Sequence, residues 1–356
     1  MKPLSFIIVG SGWRSLFFAR AAQKYPELFE LKYMLCRTQE KADRMSREYG
    51  VPTTTSEEVC EQSKPDFVVL AINRVDLVAE TRKWTAKGFP VLSETPLGNN
   101  LEELKEVWEM VQNGAKIQVA EQYHRYPIMA AGLKAIAEDK LSDPFAVHIA
   151  LCHDYHAASL IRRMLQPHNP MDLKLESVCG KAYKFQVTET DSRDGAITDG
   201  SVKDRGRSML TLEFNNNKFA LYDFAGVQYH SFIRSRHLNV RGRDGEWNDT
   251  MLRYVGADHL PVEEKLTAYL DPKYAVFENE ALLEQSKEWK PGIMMEKEQD
   301  EYAVETMMYD MRAYIEGGEE VYPMAEALED AYWCLLFRQA EKTPGCKIIP
   351  EKMPWQ

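Results

Sequence analysis

The chain has 356 residues, of which 44% are hydrophobic and 28% are charged, and its formal net charge is −11 at pH 7. This length predicts about two domains of ordinary globular composition. The acidic balance argues against nucleic acid or an anionic membrane as a partner, because both bind basic surfaces. Apolar runs are too short to span a membrane, and glycines and Arg14 interrupt the run after Lys2 before it resembles a signal peptide. We therefore expect a cytoplasmic protein.

Cysteine and histidine spacing gives no sign of a metal. The six cysteines are scattered without a C-x-x-C pair, so neither a disulfide framework nor a structural zinc site is indicated. Cys152, His153 and His156 are close in sequence, but they make a poor ligand set without a distant fourth residue. We predict that the protein has no metal site.

A glycine turn near the N-terminus predicts a dinucleotide site. Residues 6–9 are apolar and mostly β-branched, which is typical of a buried parallel strand, and Gly10 and Gly12 follow directly. Apolar residues then recur at helical spacing. Gly10 would permit a tight turn, Gly12 would let the backbone approach a pyrophosphate, and the helix N-terminus would offer N–H groups. Ser15 replaces the third glycine of this motif and is small enough for close helix–strand packing.

The next hundred residues repeat this alternation of strand and helix. Further strands are predicted at residues 29–35, 51–55, 66–72, 90–93 and 116–120, with helices between them. Uninterrupted alternation with short loops predicts a doubly wound parallel sheet with helices on both faces. We assign residues 1–126 to an α/β dinucleotide-binding Rossmann domain.

The end of the second strand bears on the choice of cofactor. An NAD site normally places Asp or Glu here, on the adenosine ribose, but this chain has Cys36 followed by Arg37. Without a carboxylate a 2′-phosphate meets no like-charge repulsion, and Arg37 could pair with it. The residues therefore favour NADP over NAD. Alternatively, Arg37 stacks on adenine or caps the next helix.

Residues 127–356 predict a second, α+β domain. Strands are expected at residues 145–152, 173–187, 208–214, 219–224, 232–241 and 250–255, a pattern typical of an open, mostly antiparallel sheet. Residues 188–207 lack apolar periodicity and are expected to form a loop. Aromatic residues such as Tyr222 and Tyr229 are interpreted as core or subunit contacts. The open sheet suggests a homo-oligomer formed through this domain.

Taken in order, these segments resemble the Gfo/Idh/MocA oxidoreductases, a family that includes glucose–fructose oxidoreductase and inositol dehydrogenase. The likeness rests on Val-Gly-Ser-Gly at residues 9–12, Cys-Arg at 36–37, Tyr-Gly-Val-Pro at 49–52, Ser-Glu-Thr-Pro at 93–96 and Gln-Tyr-His-Arg-Tyr-Pro at 122–127. It continues to the last two helices and covers nearly the whole chain. The resemblance implies an NAD or NADP cofactor, a small carbohydrate substrate, and C-terminal helices that pack back toward the first domain.

The resemblance also implies roles for particular residues. His156 falls on the family's catalytic histidine and Arg162 on its arginine, whereas Thr95 stands where the family has a lysine. A threonine can hydrogen-bond a reacting oxygen but brings no charge. A neutral imidazole is a suitable general base, since its ordinary pKa lies near physiological pH. His156 could instead cap its helix, and Glu94 could be structural.

The candidate site residues form three groups. The candidate catalytic residues are His156, His153 and Thr95. The candidate cofactor contacts are Gly10, Ser11, Gly12, Trp13, Arg14, Cys36, Arg37, Ala71, Asn73, Glu94 and Gln122. The candidate substrate contacts are Tyr123, Arg125 and Arg162.

Three functions are compatible with these residues. The first is an NAD(P)-dependent oxidoreductase that transfers a hydride between nicotinamide and a hydroxyl or ketone of a sugar, polyol or glycoside. The second is NAD-dependent glycoside cleavage by transient oxidation and elimination, for which the region of Tyr123, His153 and His156 could supply a base. The third is a non-catalytic sugar or nucleotide sensor. Thr95 favours the sensor, whereas His156 argues against it.

Overall fold

The computed structural model of the protein describes residues 2–193, 195–287 and 297–356. These residues form two compact units. Unit 1 consists of residues 2–122, Asp300–Tyr332 and Trp355. Unit 2 consists of the described parts of Tyr123–Gln299, with Trp333–Pro354 and Gln356. Residues 123–126, assigned from the sequence to the first domain, thus lie in unit 2, and a C-terminal segment lies in unit 1.

Unit 1 contains a six-stranded sheet in which every neighbouring pair is parallel. The strands are β1 (Leu4–Val9), β2 (Phe29–Leu35), β3 (Thr53–Thr54), β4 (Phe67–Leu70), β5 (Val91–Ser93) and β6 (Ile117–Val119). Their order, β3-β2-β1-β4-β5-β6, is that of a dinucleotide-binding Rossmann sheet. The predicted doubly wound parallel sheet is confirmed.

Five helices connect these strands, and local capping defines their ends. They are α1 (Ser15–Lys24), α2 (Gln39–Tyr49), α3 (Glu57–Gln62), α4 (Leu77–Ala86) and α5 (Leu101–Gln112). Thr38 Oγ1 accepts a hydrogen bond from the Lys41 amide and starts α2, while Gly50 ends it in the left-handed region. Thr38, not Arg37, therefore caps this helix.

Unit 1 is completed by residues that follow long after β6 in the chain. Arg20 pairs with Glu301 at 2.8 Å and Lys24 with Glu305 at 3.0 Å. The Tyr322 amide donates to the side-chain oxygen of Gln118, a residue of β6, at 2.8 Å. These contacts attach residues 300–332 to α1 and to β6 within the unit.

Unit 2 contains an eight-stranded sheet. Its strands are β7 (Ala146–Ala150), β8 (Leu175–Thr188), β11 (Val202–Phe214), β12 (Phe219–Phe224), β13 (His237–Arg241), β14 (Gly245–Asn248), β15 (Met251–Val255) and β16 (Pro261–Lys265), and β9 (Asp191–Ser192) with β10 (Gly195–Ala196) forms a separate hairpin. The eight-stranded order is β16-β15-β14-β13-β7-β12-β11-β8, antiparallel throughout except between β7 and β12. The predicted open, mostly antiparallel sheet is confirmed.

The remaining helices are α6 (Pro127–Ala137), α7 (Asp154–Leu165), α8 (Glu280–Lys287), α9 (Lys297–Ile315) and α10 (Met324–Lys342). The part of α10 that belongs to unit 2 covers one face of its sheet. There Trp333 stacks on Phe214 with ring centroids 5.3 Å apart, and Phe337 stacks on Tyr222 at 5.7 Å. The opposite face carries half-exposed polar residues such as His148 and Asp223. None of the helices in the described ranges is long and apolar enough to cross a membrane.

Two predicted segments differ from the structure. Residues 202–207 belong to β11 and pair with β8 as far as Val202 and Thr188, so the predicted loop is shorter. Most side chains at this end of both strands are exposed, and a strand with no buried face shows no apolar alternation. Residues 232–236 lie outside β13, which begins at His237.

Candidate active site

The carboxyl ends of four strands in unit 1 lie side by side. The pairing register aligns the last residues of β2, β1, β4 and β5, which are Leu35, Val9, Leu70 and Ser93. The residues that follow them form one edge of the sheet: Cys36, Gly10, Ala71 and Glu94. In doubly wound sheets this edge is where ligands bind. Four of the predicted cofactor contacts therefore lie on a common edge.

The two glycines of the turn have different environments. Gly10 has a φ of +110°, and a Cβ added to it would lie 2.2 Å from the Ala71 carbonyl oxygen. A Cβ added to Gly12 would meet no atom within 4 Å. Gly10 is thus required by the fold, whereas the space at Gly12 suits a ligand that approaches the backbone. The turn fits the pyrophosphate of a dinucleotide.

The side chains beside the turn include those that follow the end of β2. Cys36 is buried, and its thiol hydrogen-bonds Ser11. Burial raises the pKa of the Cys36 thiol, and the bond from Ser11 opposes this rise. The position of the usual carboxylate is therefore occupied by an uncharged thiol. Arg37 is exposed next to it, and Trp13, 46% exposed, packs edge-on against Phe17.

Arg14 and Glu94 bind each other. Arg14 Nε lies 2.8 Å from Glu94 Oε1, and Arg14 Nη1 lies 2.9 Å from Asp300 Oδ1. All three side chains are largely buried, which makes this a structural ion-pair network that ties α1 to the loop after β5 and to α9. Asp300 was not singled out from the sequence, because nothing local marks a partner 286 residues away.

The remaining candidate positions of unit 1 differ in how far they are buried. Thr95 is half-buried and is followed by a cis peptide bond to Pro96. Ala71 is buried at the end of β4, and Asn73 is exposed in the following loop. Gln122 is 7% exposed, and its Oε1 accepts no hydrogen bond from the described residues. A buried amide oxygen of this kind is suited to accept a bond from a ligand.

The histidines of unit 2 lie at the start of α7. His153 is the N-cap residue, although its side chain makes no capping bond, and His156 lies in the first turn. Asp154 adds a negative charge to this turn, and that charge interacts favourably with the positive end of the helix dipole. Its Oδ2 lies 3.3 Å from Arg338 Nη2. The helix begins at Asp154, so both histidines lie at its N-terminus.

Aromatic rings hold His156 in place. Its ring is stacked on that of Tyr123, with centroids 4.1 Å apart and an angle of 19° between planes. His153 and Tyr155 contact it edge-on at 4.6 and 5.7 Å. His156 is 5% exposed. The N-cap of α7 is His153 and not His156, so the predicted alternative role of His156 as the cap of this helix is wrong.

Tyr229 connects His153 to Tyr123. Its hydroxyl lies 2.5 Å from His153 Nδ1, 2.9 Å from the His153 amide and 3.5 Å from the Tyr123 hydroxyl. Burial raises the pKa of both phenols, so both stay protonated. The sequence pattern assigned Tyr229 to core or subunit contacts. It lies in a 3₁₀ turn, Gly226–Tyr229, where strand alternation carries no information.

The two predicted substrate arginines have different surroundings. Arg125 is half-buried and donates from Nη1 to the Tyr274 hydroxyl at 3.0 Å. Arg162 has no exposed surface, and its Nη1 lies 3.4 Å from Met171 Sδ. Burial and the charges of Arg163 and Arg125 lower the pKa of His124 well below its ordinary value. His124 is therefore neutral. Because Arg162 is fully buried, we assign it to the interior of the unit.

No group of three His, Cys, Asp or Glu residues in the described parts of the chain is arranged to hold a metal ion. Apart from Asp154, which pairs with Arg338, the ionisable groups described above at the start of α7 are imidazoles and phenols. They can accept, donate or transfer protons, which is acid–base chemistry.

Comparison with known proteins extends these observations. Residues 4–123 match the model of the Gfo/Idh/MocA family, described as an oxidoreductase family with an NAD-binding Rossmann fold. A search of curated proteins found no match.

Solved structures with the same fold cover the whole chain. An oxidoreductase from Agrobacterium radiobacter, in complex with NAD+, L-tartaric acid and magnesium, is 11% identical with a TM-score of 0.70, over 97% of this chain and 98% of its own. An inositol dehydrogenase homologue from Azotobacter vinelandii, complexed with NADH and myo-inositol, is 16% identical with a TM-score of 0.67, over 98% of each chain. Levoglucosan dehydrogenase, in complex with NADH and levoglucosan, is 16% identical with a TM-score of 0.69, over 98% of this chain and 100% of its own.

At these identities the structural likeness shows a common fold, and the match to the family model concerns residues 4–123. The parallel strand order, the glycine turn and the matched segment agree with one another. Residues 4–123 are therefore similar in sequence and in fold to the Gfo/Idh/MocA oxidoreductase family, which is described by its NAD-binding Rossmann fold.

Proposed function

We propose that the protein transfers a hydride between a nicotinamide dinucleotide and a hydroxyl-bearing carbon of a sugar, polyol or glycoside, with His156 as general base. The observation that carries this proposal is the cluster at the start of α7, where His156 is stacked on Tyr123 beside His153. A protein that only senses a ligand has no need of such a group. The NADH complexes of the inositol and levoglucosan enzymes support a carbohydrate substrate.

In this proposal, residues of unit 1 bind the cofactor and residues of unit 2 transfer the proton. In unit 1 the turn at Gly10 and Gly12 binds the pyrophosphate, and Gln122 offers a buried acceptor. A nicotinamide dinucleotide held at this turn would supply the hydride acceptor or donor. In unit 2 His156 accepts the proton of the substrate hydroxyl as the carbon is oxidised, and it returns that proton in the reverse reaction. Stacking on Tyr123 fixes the plane of the imidazole, so the nitrogen is held in one direction.

Turnover of a substrate panel tests the proposal. Purified protein is incubated with NAD or NADP and with myo-inositol, levoglucosan, free hexoses or aryl glycosides, and nicotinamide absorbance is followed. We expect reduction of cofactor with at least one polyol or sugar. Release of the aryl group without net cofactor reduction would instead indicate cleavage by oxidation and elimination. Nucleotide binding without any turnover would indicate a sensor.

We also propose that NADP is preferred, because an uncharged thiol at Cys36 replaces the carboxylate and Arg37 is exposed beside it. Arg37→Gln should weaken NADP binding by about 10- to 100-fold, the loss of one charge-assisted hydrogen bond, and leave NAD binding nearly unchanged. Isothermal titration with each cofactor measures this. Arg47→Gln, at the other end of α2, is the control because it removes the same charge. Equal weakening of both cofactors would mean that Arg37 stacks on adenine instead.

We further propose that the protein forms a homo-oligomer through the open face of the sheet in unit 2. On this face Met209 and Phe219 are 38% and 50% exposed, and exposed apolar side chains on one sheet face could contact a second copy of the chain. Light scattering across a range of protein concentrations measures the assembly. Phe219→Lys should shift it toward the monomer, and a wild-type protein that is monomeric at every concentration would contradict the proposal.

A further inference from the structure

We infer that a pocket in unit 2, separate from the candidate active site, binds a small molecule that carries one carboxylate on an apolar body. The pocket has a volume of about 480 Å³, which lies within the range of small-molecule sites. None of the described residues that line it is Tyr123, His153, His156 or Tyr229. Binding in this pocket does not depend on the proposed function.

The pocket lies between the extended ends of β8 and β11 and the chain that follows β12. Side chains from these segments line it, among them Phe185, Val187, Arg207, Val227, Ile233 and Arg234. Gln228 joins two parts of the segment after β12, because its Oε1 accepts from the Ala225 amide at 2.9 Å and its Nε2 donates to the Ser235 carbonyl at 2.8 Å. These bonds form the pocket before a ligand arrives, which lowers the entropic cost of binding.

The apolar part of the lining fits the body of the ligand. Phe185 and Val187 come from β8, and Val227 and Ile233 lie opposite them in the chain that follows β12. Val187 is 6% exposed, whereas Ile233 is 59% exposed. A ligand in the pocket would cover apolar surface that now faces water, and this burial favours binding.

The two arginines of the pocket differ in which edge of the guanidinium is occupied. Arg207 donates from both Nε and Nη2 to the carboxylate of Asp223, so its charge is balanced. Arg234 donates from Nη1 alone, to the Thr188 carbonyl at 3.1 Å and to the Ser231 hydroxyl at 3.3 Å. Both of these partners are uncharged. In the described parts of the chain, Arg234 therefore has no carboxylate to balance it.

Arg234 presents the edge that recognises a carboxylate. Its two bonds use Nη1 and hold the guanidinium in place, which leaves Nε and Nη2 pointing the same way. This parallel pair of donors matches the two oxygens of a carboxylate. Asp191, which accepts from the Phe232 amide at 3.3 Å, does not line the pocket. One unbalanced positive charge beside an apolar surface favours a ligand with one negative charge.

Three probes test the chemistry of the ligand. They are hydrocinnamate, which has a phenyl ring on a short carboxylate chain, hydrocinnamamide, which has the same body without the charge, and acetate, which has the charge without the body. NMR titration of the wild-type protein measures the Kd of each. We expect saturable binding of hydrocinnamate, with the other two probes at least about tenfold weaker. No saturable binding of hydrocinnamate, or equal binding of the amide, would overturn the inference.

Two variants test the location. Arg234→Gln should weaken hydrocinnamate binding by about 10- to 100-fold, through loss of a charge-assisted contact. Val227→Phe keeps Arg234 and fills the pocket, so it should also weaken binding by about tenfold or more. Circular dichroism confirms that both variants are folded. Unchanged binding in either folded variant would overturn the inference.

Two controls should bind hydrocinnamate as the wild type does. Arg253→Gln removes an exposed arginine of β15 that pairs with Glu263 at 2.8 Å. His156→Ala changes the candidate active site and leaves the pocket intact. Loss of hydrocinnamate binding in His156→Ala would place the probe at the candidate active site and overturn the inference.

Discussion

Replacing His156 by alanine should lower kcat by about 10²- to 10⁴-fold, the usual contribution of a positioned general base. The side chain lies in the first turn of α7, stacked on Tyr123, and its removal leaves no other imidazole in that position. Cofactor binding should be unchanged, because the dinucleotide contacts proposed here belong to unit 1. Steady-state kinetics on the best substrate of the panel, together with cofactor titration, measure both effects.

His168→Ala is the matched control. His168 is exposed just beyond the end of α7 and takes part in none of the ring contacts around His156. Its replacement should leave kcat within about twofold, since surface substitutions away from such contacts have small effects. If His156→Ala turned over substrate as fast as His168→Ala, another group would be the base.

Three glycine-to-alanine variants in unit 1 should have different effects on stability and on dinucleotide binding. They distinguish the cost of backbone strain, the cost of steric overlap and the loss of space for a ligand. Gly10→Ala combines a φ of +110° with a Cβ 2.2 Å from the Ala71 carbonyl oxygen. It should lower the free energy of unfolding by about 3 kcal/mol or more, the sum of strain and overpacking. Gly88→Ala has a φ of +86° and no atom within 4 Å of the added Cβ. It should cost about 1–2 kcal/mol from strain alone.

Gly12→Ala is the informative member of this set for function. The added Cβ meets no atom within 4 Å, so the free energy of unfolding should stay within about 0.5 kcal/mol of the wild type. Dinucleotide affinity should nevertheless fall by about tenfold or more, because the methyl group would occupy the space of the pyrophosphate. Urea unfolding and calorimetric titration measure the two quantities. Unchanged affinity would place the pyrophosphate elsewhere.

Much of unit 1 could be predicted because its signals are local. An apolar strand, a glycine turn and a returning helical period occur within twenty residues, and parallel strands must then be joined by crossovers. The strand order and the common edge of Cys36, Gly10 and Glu94 follow from that arrangement. The family resemblance predicted from these segments is confirmed over residues 4–123.

The details of the candidate site could not be predicted because they depend on distant partners. Tyr229 meets His153 across 76 residues, and Arg14 meets Asp300 across 286. No periodicity or spacing in either segment records these pairings. The extension of β11 to Val202 could not be predicted for a different reason. At that end most side chains of β8 and β11 are exposed, so the sequence shows no apolar alternation.

The contacts between α1 and residues 300–332 have a consequence for synthesis of the chain on the ribosome. Arg14, Arg20 and Lys24 have emerged long before Asp300, Glu301 and Glu305 are made. At roughly 5–20 residues per second, nearly 300 residues of further translation separate the two halves of these pairs. The Rossmann unit therefore reaches its complete set of contacts only late in translation, after most of unit 2 has emerged. A fragment ending at residue 122 would lack Asp300, Glu301 and Glu305, although Arg14 would keep Glu94 as a partner.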